Sequence, residues 1–532
     1  MPAIRIACAL FLLLTISSIV SAQATPAICS VTPPPGSPSL LYKDGTSLCW
    51  NGKPLRMVGY GTTDLATRDG YDYARFLNTI RFVDNTVPVK RHGVNLTRIW
   101  ALGDANNPDC FHTPADNDPS QPPMTMPFQL MPGQSCNKNH LYPKYNLCVS
   151  NVACNNAVGF NPAYANRLKD ILKEARKNGI LVELVLFDAY FLGRQHDANA
   201  LYATNPWNPL NNNMDQNVFR RFPGSATFAA CTKLYRSTDP SDTTDDSFPE
   251  FYDICSDTSS SAGCNKTLNC LGLIQKSYVE SMVDLVRNNT GGSDHVFFEI
   301  MNRATFDKID SRKEGFDLNK FKRWNDEVGY WIKCHGDGHC GNTKGDYLVL
   351  GEVGLAEYRD LACTNRALCP NNPLDTLAMP NIDIINIQGY TWRNSPGAPD
   401  NPCVTALTAI NKFKKPVIID TDSAYERSNK CQVARWASEI SSCGQAGEAH
   451  FNQLDGMTFG YPEPKMCSFT GVGGQAITRD FDERYLDCHT LDTIAAGDPT
   501  YLSNIVTTEA PASCPDSVNS AGQPIWCASA CK

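Results

Sequence analysis

Three short stretches set acidic groups at or near the ends of apolar runs, where chemistry is commonly done. "LVLFDAY" carries Asp188, "LGEVG" carries Glu352, and "KPVIIDTDSA" carries Asp420 and Asp422. A fourth, "HVFFEIMNRATF" (295–306), ends its apolar run in Asn302 and Arg303 and holds Glu299 deeper inside. Two carboxyl groups brought to one reacting centre can divide the work between a nucleophile and a proton donor. Arg303 cannot be the donor, because a guanidinium keeps its proton near neutral pH. It either clamps a carboxylate or an acidic group of a substrate through its planar fork, or pairs with a neighbouring acid in a loop. Asp422 is either aimed inward by a local bulge or caps the turn "SAYERSN" that follows it. Glu352 and Asp188 are the candidate proton donors, since a carboxyl set against aromatic surfaces holds its proton more firmly. A salt bridge inside the fold is the other reading of Glu352. Glu299 is read as the partner of Arg98 in "GVNLTRIW".

Those groups need a frame. Near-continuous apolar runs at 55–60, 93–100, 180–187, 295–302, 347–353, 382–390, 416–420 and 449–455 read as strands covered on both faces. Helical patterns stand between them. "PAYANRLKDILKEARKNG" opens on Pro162 and closes on Gly179 as a capped helix does. "LGLIQKSYVESMVDLVRNN" and "DLNKFKRWNDEVGYWIKC" follow the same rule. Eight strands alternating with helices predict an α/β chain folded as a (β/α)8 TIM barrel; no Gly-x-Gly-x-x-Gly supports the rival open sheet. Ahead of the first strand, Asp44-Gly45 and Asn51-Gly52 mark a hairpin. Two long connections, from about Gly103 to Gly159 and from about Asp188 to Cys264, fall at the carboxyl ends of strands two and three. Barrel chemistry sits at that end, and long loops there are usually functional. The expected organisation is a signal at 1–22, a barrel with its hairpin at 23–497 and a cysteine-bearing tail at 498–532.

Composition narrows the surroundings. Of 532 residues, 42% are hydrophobic and 19% charged, as in a globular protein with a substantial core. A net charge of -8 without clustered Lys and Arg argues against nucleic acid or an anionic membrane surface as partner. The opening "MPAIRIACALFLLLTISSIVSA" has the basic start, apolar run and small residues of a secretory signal, with a cut expected after Ala22. The protein is therefore expected outside the cytoplasm. Of 23 cysteines, one (Cys8) lies in that signal, and the remaining even number are expected in disulfides that staple the loops. Neighbours such as Cys264 and Cys270, Cys334 and Cys340, Cys363 and Cys369, and Cys527 and Cys531 are close in sequence. The ligand spacing of structural zinc sites is missing. Sequons at Asn265 and Asn288 are potential glycan sites, whereas Asn95 falls inside a predicted strand. His-Glu-x-x-His, Gly-x-Ser-x-Gly and Walker loops are absent, so no metal or nucleotide cofactor is expected.

Taken in order, several motifs resemble the large clan of barrel glycosidases that includes cellulases and mannanases. "DGTSLCWNGKPLRMVGYG" resembles their lead-in to strand one and "GVNLTRIWALG" their strand two. "FFEIMN", "INIQGYTW" and "KPVIIDTDSA" resemble strands four, six and seven. "FDAYFLGRQHDANALYATNPWNPLNNN" is similar to the loop after strand three in one branch of such hydrolases, a branch that also resembles this chain in its Asp-Thr-Asp. The clan uses one carboxylate at the end of strand four and one at the end of strand seven, ~5–5.5 Å apart when the configuration is retained. Here Arg303 stands at the first position, and Thr421, flanked by Asp420 and Asp422, at the second. The resemblance implies an aspartate nucleophile, Asp422 first and Asp420 second, with a displaced acid at Glu352 or Asp188. It implies that Arg98 supports the nucleophile, that Asn302 bonds a sugar 2-hydroxyl and that Tyr390 lies near the nucleophile. Trp392 and Trp100 offer flat faces for sugar rings or pack in the core. His450 and Asn452, two apart on strand eight, share a side. The resulting expectation is a secreted, monomeric O-glycosyl hydrolase acting on a polysaccharide by two carboxylates. The alternative is a barrel that has lost catalysis and binds carbohydrate.

Overall fold

The computed structural model describes mainly residues 41–50, 96–102, 125–134, 144–151, 157–188, 249–255, 268–289, 294–302, 318–335, 347–354, 378–388, 409–421, 446–451, 466–470 and 476–480, with shorter pieces at Cys29 and within 53–91 and 205–213. A small antiparallel sheet comes first: β1 (Leu41–Asp44), β2 (Ser47–Trp50) and β3 (Lys53–Pro54). Gly45 makes its tight turn with φ 59°, a conformation costly for residues with a Cβ. Eight further strands run parallel: β4 (Val58–Gly61), β5 (Leu96–Trp100), β6 (Leu181–Asp188), β7 (Val296–Asn302), β8 (Val349–Gly354), β9 (Ile384–Gln388), β10 (Val417–Thr421) and β11 (Ala446–Phe451). Each pairs with the next in chain order, and β11 returns to β4, so the ladder closes into a barrel.

All eight runs read as strands in the sequence occur in the ladder. The last was placed at 449–455 but occupies Ala446–Phe451. Gly447 and Glu448 dilute its apolar signal, and pairing with β10 and β4 decides its register instead. Helices α1 (Pro162–Lys177), α2 (Cys270–Arg287) and α3 (Leu318–Cys334) precede β6, β7 and β8. Asn161 caps α1 by accepting from Ala163 N, and Asn269 caps α2 by accepting from Gly272 N. A Cβ at Gly272 would meet the Ile254 carbonyl at 2.5 Å, which explains a glycine inside that first turn. Among the described residues, no helix is long and apolar enough to cross a membrane.

Among the described residues, one apolar core lies outside the strand ring and another inside it. Tyr164, Leu168, Ile171, Leu172 and Ala175 of α1 form one stripe at helical spacing and join the outer core with residues of α2, α3 and the outward faces of the strands. Inside the barrel, Leu96, Leu181, Phe297, Leu350, Ile384 and Ile418 pack with Met57, and Leu41 and Leu48 of the hairpin cover them. Fully burying one such side chain is worth ~1.5–3 kcal/mol. Lys43 fastens β1 to Asp383 at 3.3 Å, and Cys49 is bridged to Cys29. Cys148, Cys255 and Cys334 are also disulfide-bonded. The other cysteine neighbours named above, and the tail beyond 498, lie outside the described residues, apart from Cys270 at the start of α2.

Candidate active site

Two residues beyond the apolar plug, the barrel interior turns polar. Arg98 on β5 sits at its centre with 1% exposure. Its Nε donates to Glu299 Oε2 at 2.8 Å and its Nη2 to Glu299 Oε1, the bidentate pair foreseen from the sequence. The same Nη2 donates to Glu352 Oε2 at 3.0 Å and to Asn302 Oδ1 at 3.1 Å. Glu183 stands 3.4 Å from Arg98 Nε. Asn386 Nδ2 completes this layer with a 3.4 Å bond to Glu352 Oε2. Removing such charges from water is tolerable only because each finds an opposite charge or a hydrogen-bond donor.

A second layer lies at the strand ends themselves. Trp100, Asp188 and Asn302 are the last residues of β5, β6 and β7. Trp100 Nε1 donates to Asp188 Oδ2 at 2.8 Å, and Asn302 Nδ2 donates to the same oxygen at 2.7 Å. Asn302 therefore joins the layers, accepting from Arg98 at one end of its amide and donating to Asp188 at the other. The Arg98 guanidinium also stacks over the Trp100 ring, 4.7 Å from its centroid.

Strict alternation would not bring Asp188 and Asn302 here. Leu186 and Phe187 are consecutive yet both belong to the outer core, and so are Ile300 and Met301. The two strands slip together, so their pairing continues through Phe187 with Met301 and Asp188 with Asn302. Aromatic packing holds the slip in place. Phe187 lies 5.4–5.7 Å from the ring centroids of Trp207, Phe251, Tyr278 and Trp324. With Phe187 drawn outward, Asp188 turns toward Trp100. Tyr252 donates to Met301 Sδ at 3.5 Å. Burial, and then the negative charge of Asp188, push the Tyr252 hydroxyl well above the usual tyrosine range.

The loop motif after strand three supports this from behind. Asn205 accepts from Trp207 N, and Asn212 donates to the Pro206 carbonyl. Asn213 donates to Asn146 Oδ1 at 2.7 Å and accepts from Leu147 N at 3.0 Å, which ties this loop to the one after strand two. The asparagines of "NPWNPLNNN" thus set Trp207 against Phe187.

The expected site residues fare differently. Glu352 was expected at the mouth; it lies two residues inside the end of β8, 2% exposed and ion-paired to Arg98. The interior salt bridge is the reading found, because the cation on β5 reaches it. Trp100 is 1% exposed with one face under Arg98, so it packs rather than forming a platform for a sugar ring. Asp420 is in β10, in register with Gln388 and Ala449. His450 is in β11, in register with Tyr60 and Thr421. Asp422, Arg303, Tyr390, Trp392 and Asn452 lie outside the described residues, though β10 ends at Thr421, directly before Asp422. Glu183, Asn386 and Tyr252 went unnoticed in the sequence. A lone acid in "ILVELVLF" was the available signal for Glu183. Among the described residues no group of His, Cys, Asp and Glu could hold a metal ion.

No protein-family model and no curated protein sequence matches the chain. Several solved structures are similar to it. An endo-beta-1,4-mannanase from Thermotoga petrophila has 13% identity and a TM-score of 0.43, covering 84% of this chain and 77% of its own. A glycoside hydrolase family 5 mannosidase from Rhizomucor miehei has 10% identity and a TM-score of 0.40, covering 90% and 99%. The catalytic domain of a GH26 endo-beta-1,4-mannanase from Bacillus sp. JAMB-750 has 9% identity and a TM-score of 0.40, covering 84% and 86%. The assignment of a parallel barrel rests on the chain's own strand ladder.

Proposed function

We propose that this chain is a secreted glycoside hydrolase that cleaves O-glycosidic bonds of a polysaccharide with two carboxyl groups. Asp188 gives the proton to the leaving oxygen, and Asp422, after the end of β10, attacks the anomeric carbon. Asp420 is the second choice for that attack. Helices complete the ring around the barrel, disulfide-stapled loops frame its mouth, and the chain works as a monomer without a cofactor. The observation that carries this reading is the convergence of Trp100 and Asn302 on Asp188 at the carboxyl ends of three adjacent strands. That end of a parallel barrel is where its chemistry is done, and a fixed carboxyl there meets the first demand on a general acid, which is geometry. Whereas Asp188 stands at the end of its strand, Glu352 suits the donor's part less well, because it lies two residues inside the end of β8 in an ion pair with Arg98. It serves instead as a fixed negative charge beneath the site. Arg303, next to Asn302 in sequence, is left to clamp an acid or an acidic group of the substrate.

A polysaccharide panel with reducing-end detection tests the reading. Sugar release by the parent that falls at least 100-fold in Asp422→Asn and in Asp188→Asn is the expected result, since general acid and nucleophile each contribute about that much or more. Polysaccharide binding without release in the parent would make the molecule a carbohydrate-binding barrel.

A further inference from the structure

We propose that Trp100 is a positioning residue that decides which oxygen of Asp188 carries the transferable proton; this rests on the reading of Asp188 as the donor. Both N–H groups, from Trp100 and from Asn302, point at Oδ2. An oxygen accepting two N–H donors has its in-plane lone pairs occupied and acts as the carbonyl-like atom of the carboxyl. The proton therefore resides on Oδ1. In the reaction, the Oδ1–H bond breaks as its proton passes to the glycosidic oxygen. That oxygen keeps the electron pair of the breaking C–O bond, while the nucleophile's carboxylate forms the new bond to the anomeric carbon. Asp188 ends as a carboxylate whose charge the two N–H groups stabilise.

Arg98 gives Trp100 its rigidity. The guanidinium over the indole and the Arg98–Asn302 bond lock both donors to one hub, itself fixed by the fork to Glu299. Asp188 is thus aimed by a relay of buried groups on β5 and β7. Among the described residues, Tyr252 in the turn 249–252 faces Asp188 electrostatically, and Arg98 on β5, reached through Trp100 and Asn302, carries Glu183 on β6, Glu299 on β7 and Glu352 on β8. All of these residues are retained when Trp100 alone is changed, and Asn302→Ala provides the check that does not disturb the indole beneath Arg98.

The experiment needs no substrate. Full-length protein carrying aspartate labelled with carbon-13 at the side-chain carboxyl is titrated by NMR, with the Asp188 resonance assigned by its loss in Asp188→Asn. Trp100→Phe removes the N–H but keeps an aromatic ring near Arg98. It should raise the Asp188 midpoint by about one unit, because a hydrogen bond to a charged group is worth ~1.5–3 kcal/mol and one unit is ~1.4 kcal/mol. Asn302→Ala removes the other donor independently and should act in the same direction. If turnover is found, the basic limb of its pH profile should move upward by the same amount in both variants, whereas a merely structural role would lower the rate and leave the limb in place. An unmoved midpoint in folded Trp100→Phe and Asn302→Ala overturns the positioning role. Full turnover in Asp188→Asn, with the midpoint shifted as expected, would instead remove Asp188 from the catalytic reading and leave the titration result standing.

Discussion

The two ends of the barrel interior differ by one inward step along the strands. Leu96, Leu181, Phe297, Leu350, Ile384 and Ile418 form the apolar layer. Two residues later on five of these strands come Arg98, Glu183, Glu299, Glu352 and Asn386. One period of the strand pleat takes the interior from wholly apolar to wholly polar. The apolar layer needs no partner-specific geometry, because burial rewards any well-filled volume. Above it, every member depends on a particular neighbour, and Arg98 is the neighbour most of them share. The lower layer is therefore a matter of volume and the upper layer a matter of charge.

Charge changes should separate the layers most sharply. Arg98→Met leaves Glu299, Glu183 and Glu352 without their described cation, and should cost ~3–5 kcal/mol in denaturant unfolding at neutral pH. Acidification, which neutralises carboxylates, should return part of that loss. Phe297→Ala in the lower layer should cost a similar ~3–5 kcal/mol as a cavity, but with the same loss at every pH. Equal pH dependence in the two variants would erase the distinction between the layers.

Outside the amino-terminal end, charge returns in a milder form. Asp383 accepts from Lys333 at 2.8 Å and from Lys43 at 3.3 Å, with Lys415 close by. Burial, followed by the positive charge of Lys43, holds Lys415 down at about 8 against an ordinary 10.5. Between those values the unfolded chain binds more protons, so stability should rise as pH goes from 8 to 10.5. Lys415→Met should remove that rise and gain about 2 kcal/mol at pH 7, read from unfolding curves across that range. The smallest effect belongs to the rim of α2 and α3. A hydrogen bond with Glu280, and one with Asp284, outweigh burial and raise His335 above 6.5. Its contribution is complete below 6.5 and fades as pH rises through the folded value. With partly exposed partners, His335→Gln should cost only a few tenths of a kcal/mol at pH 6 and nothing at pH 9.

Much of this was legible in the chain. The eight apolar runs, the helix opening on Pro162 and closing on Gly179, and the Arg98–Glu299 pair could all be read without coordinates, because period and local capping are properties of neighbouring residues. The last strand was misplaced where Gly447 and Glu448 weakened the local signal. Glu352 looked like a mouth residue because nothing near it in sequence reveals a cation 254 residues away. Trp100 suggested a sugar platform for the same reason: only the fold sets Arg98 over its face and Asp188 at its N–H.

By itself, the sequence determined that parallel strands would form and that a polar ring would follow an apolar one two residues on, since both follow from side-chain period. Only the tertiary structure decided that Asp188 and Asn302 face inward. Their strands slip by one residue where Phe187 is drawn into the rings of Trp207, Phe251, Tyr278 and Trp324. That displacement comes from packing between distant segments, and no local pattern encodes it.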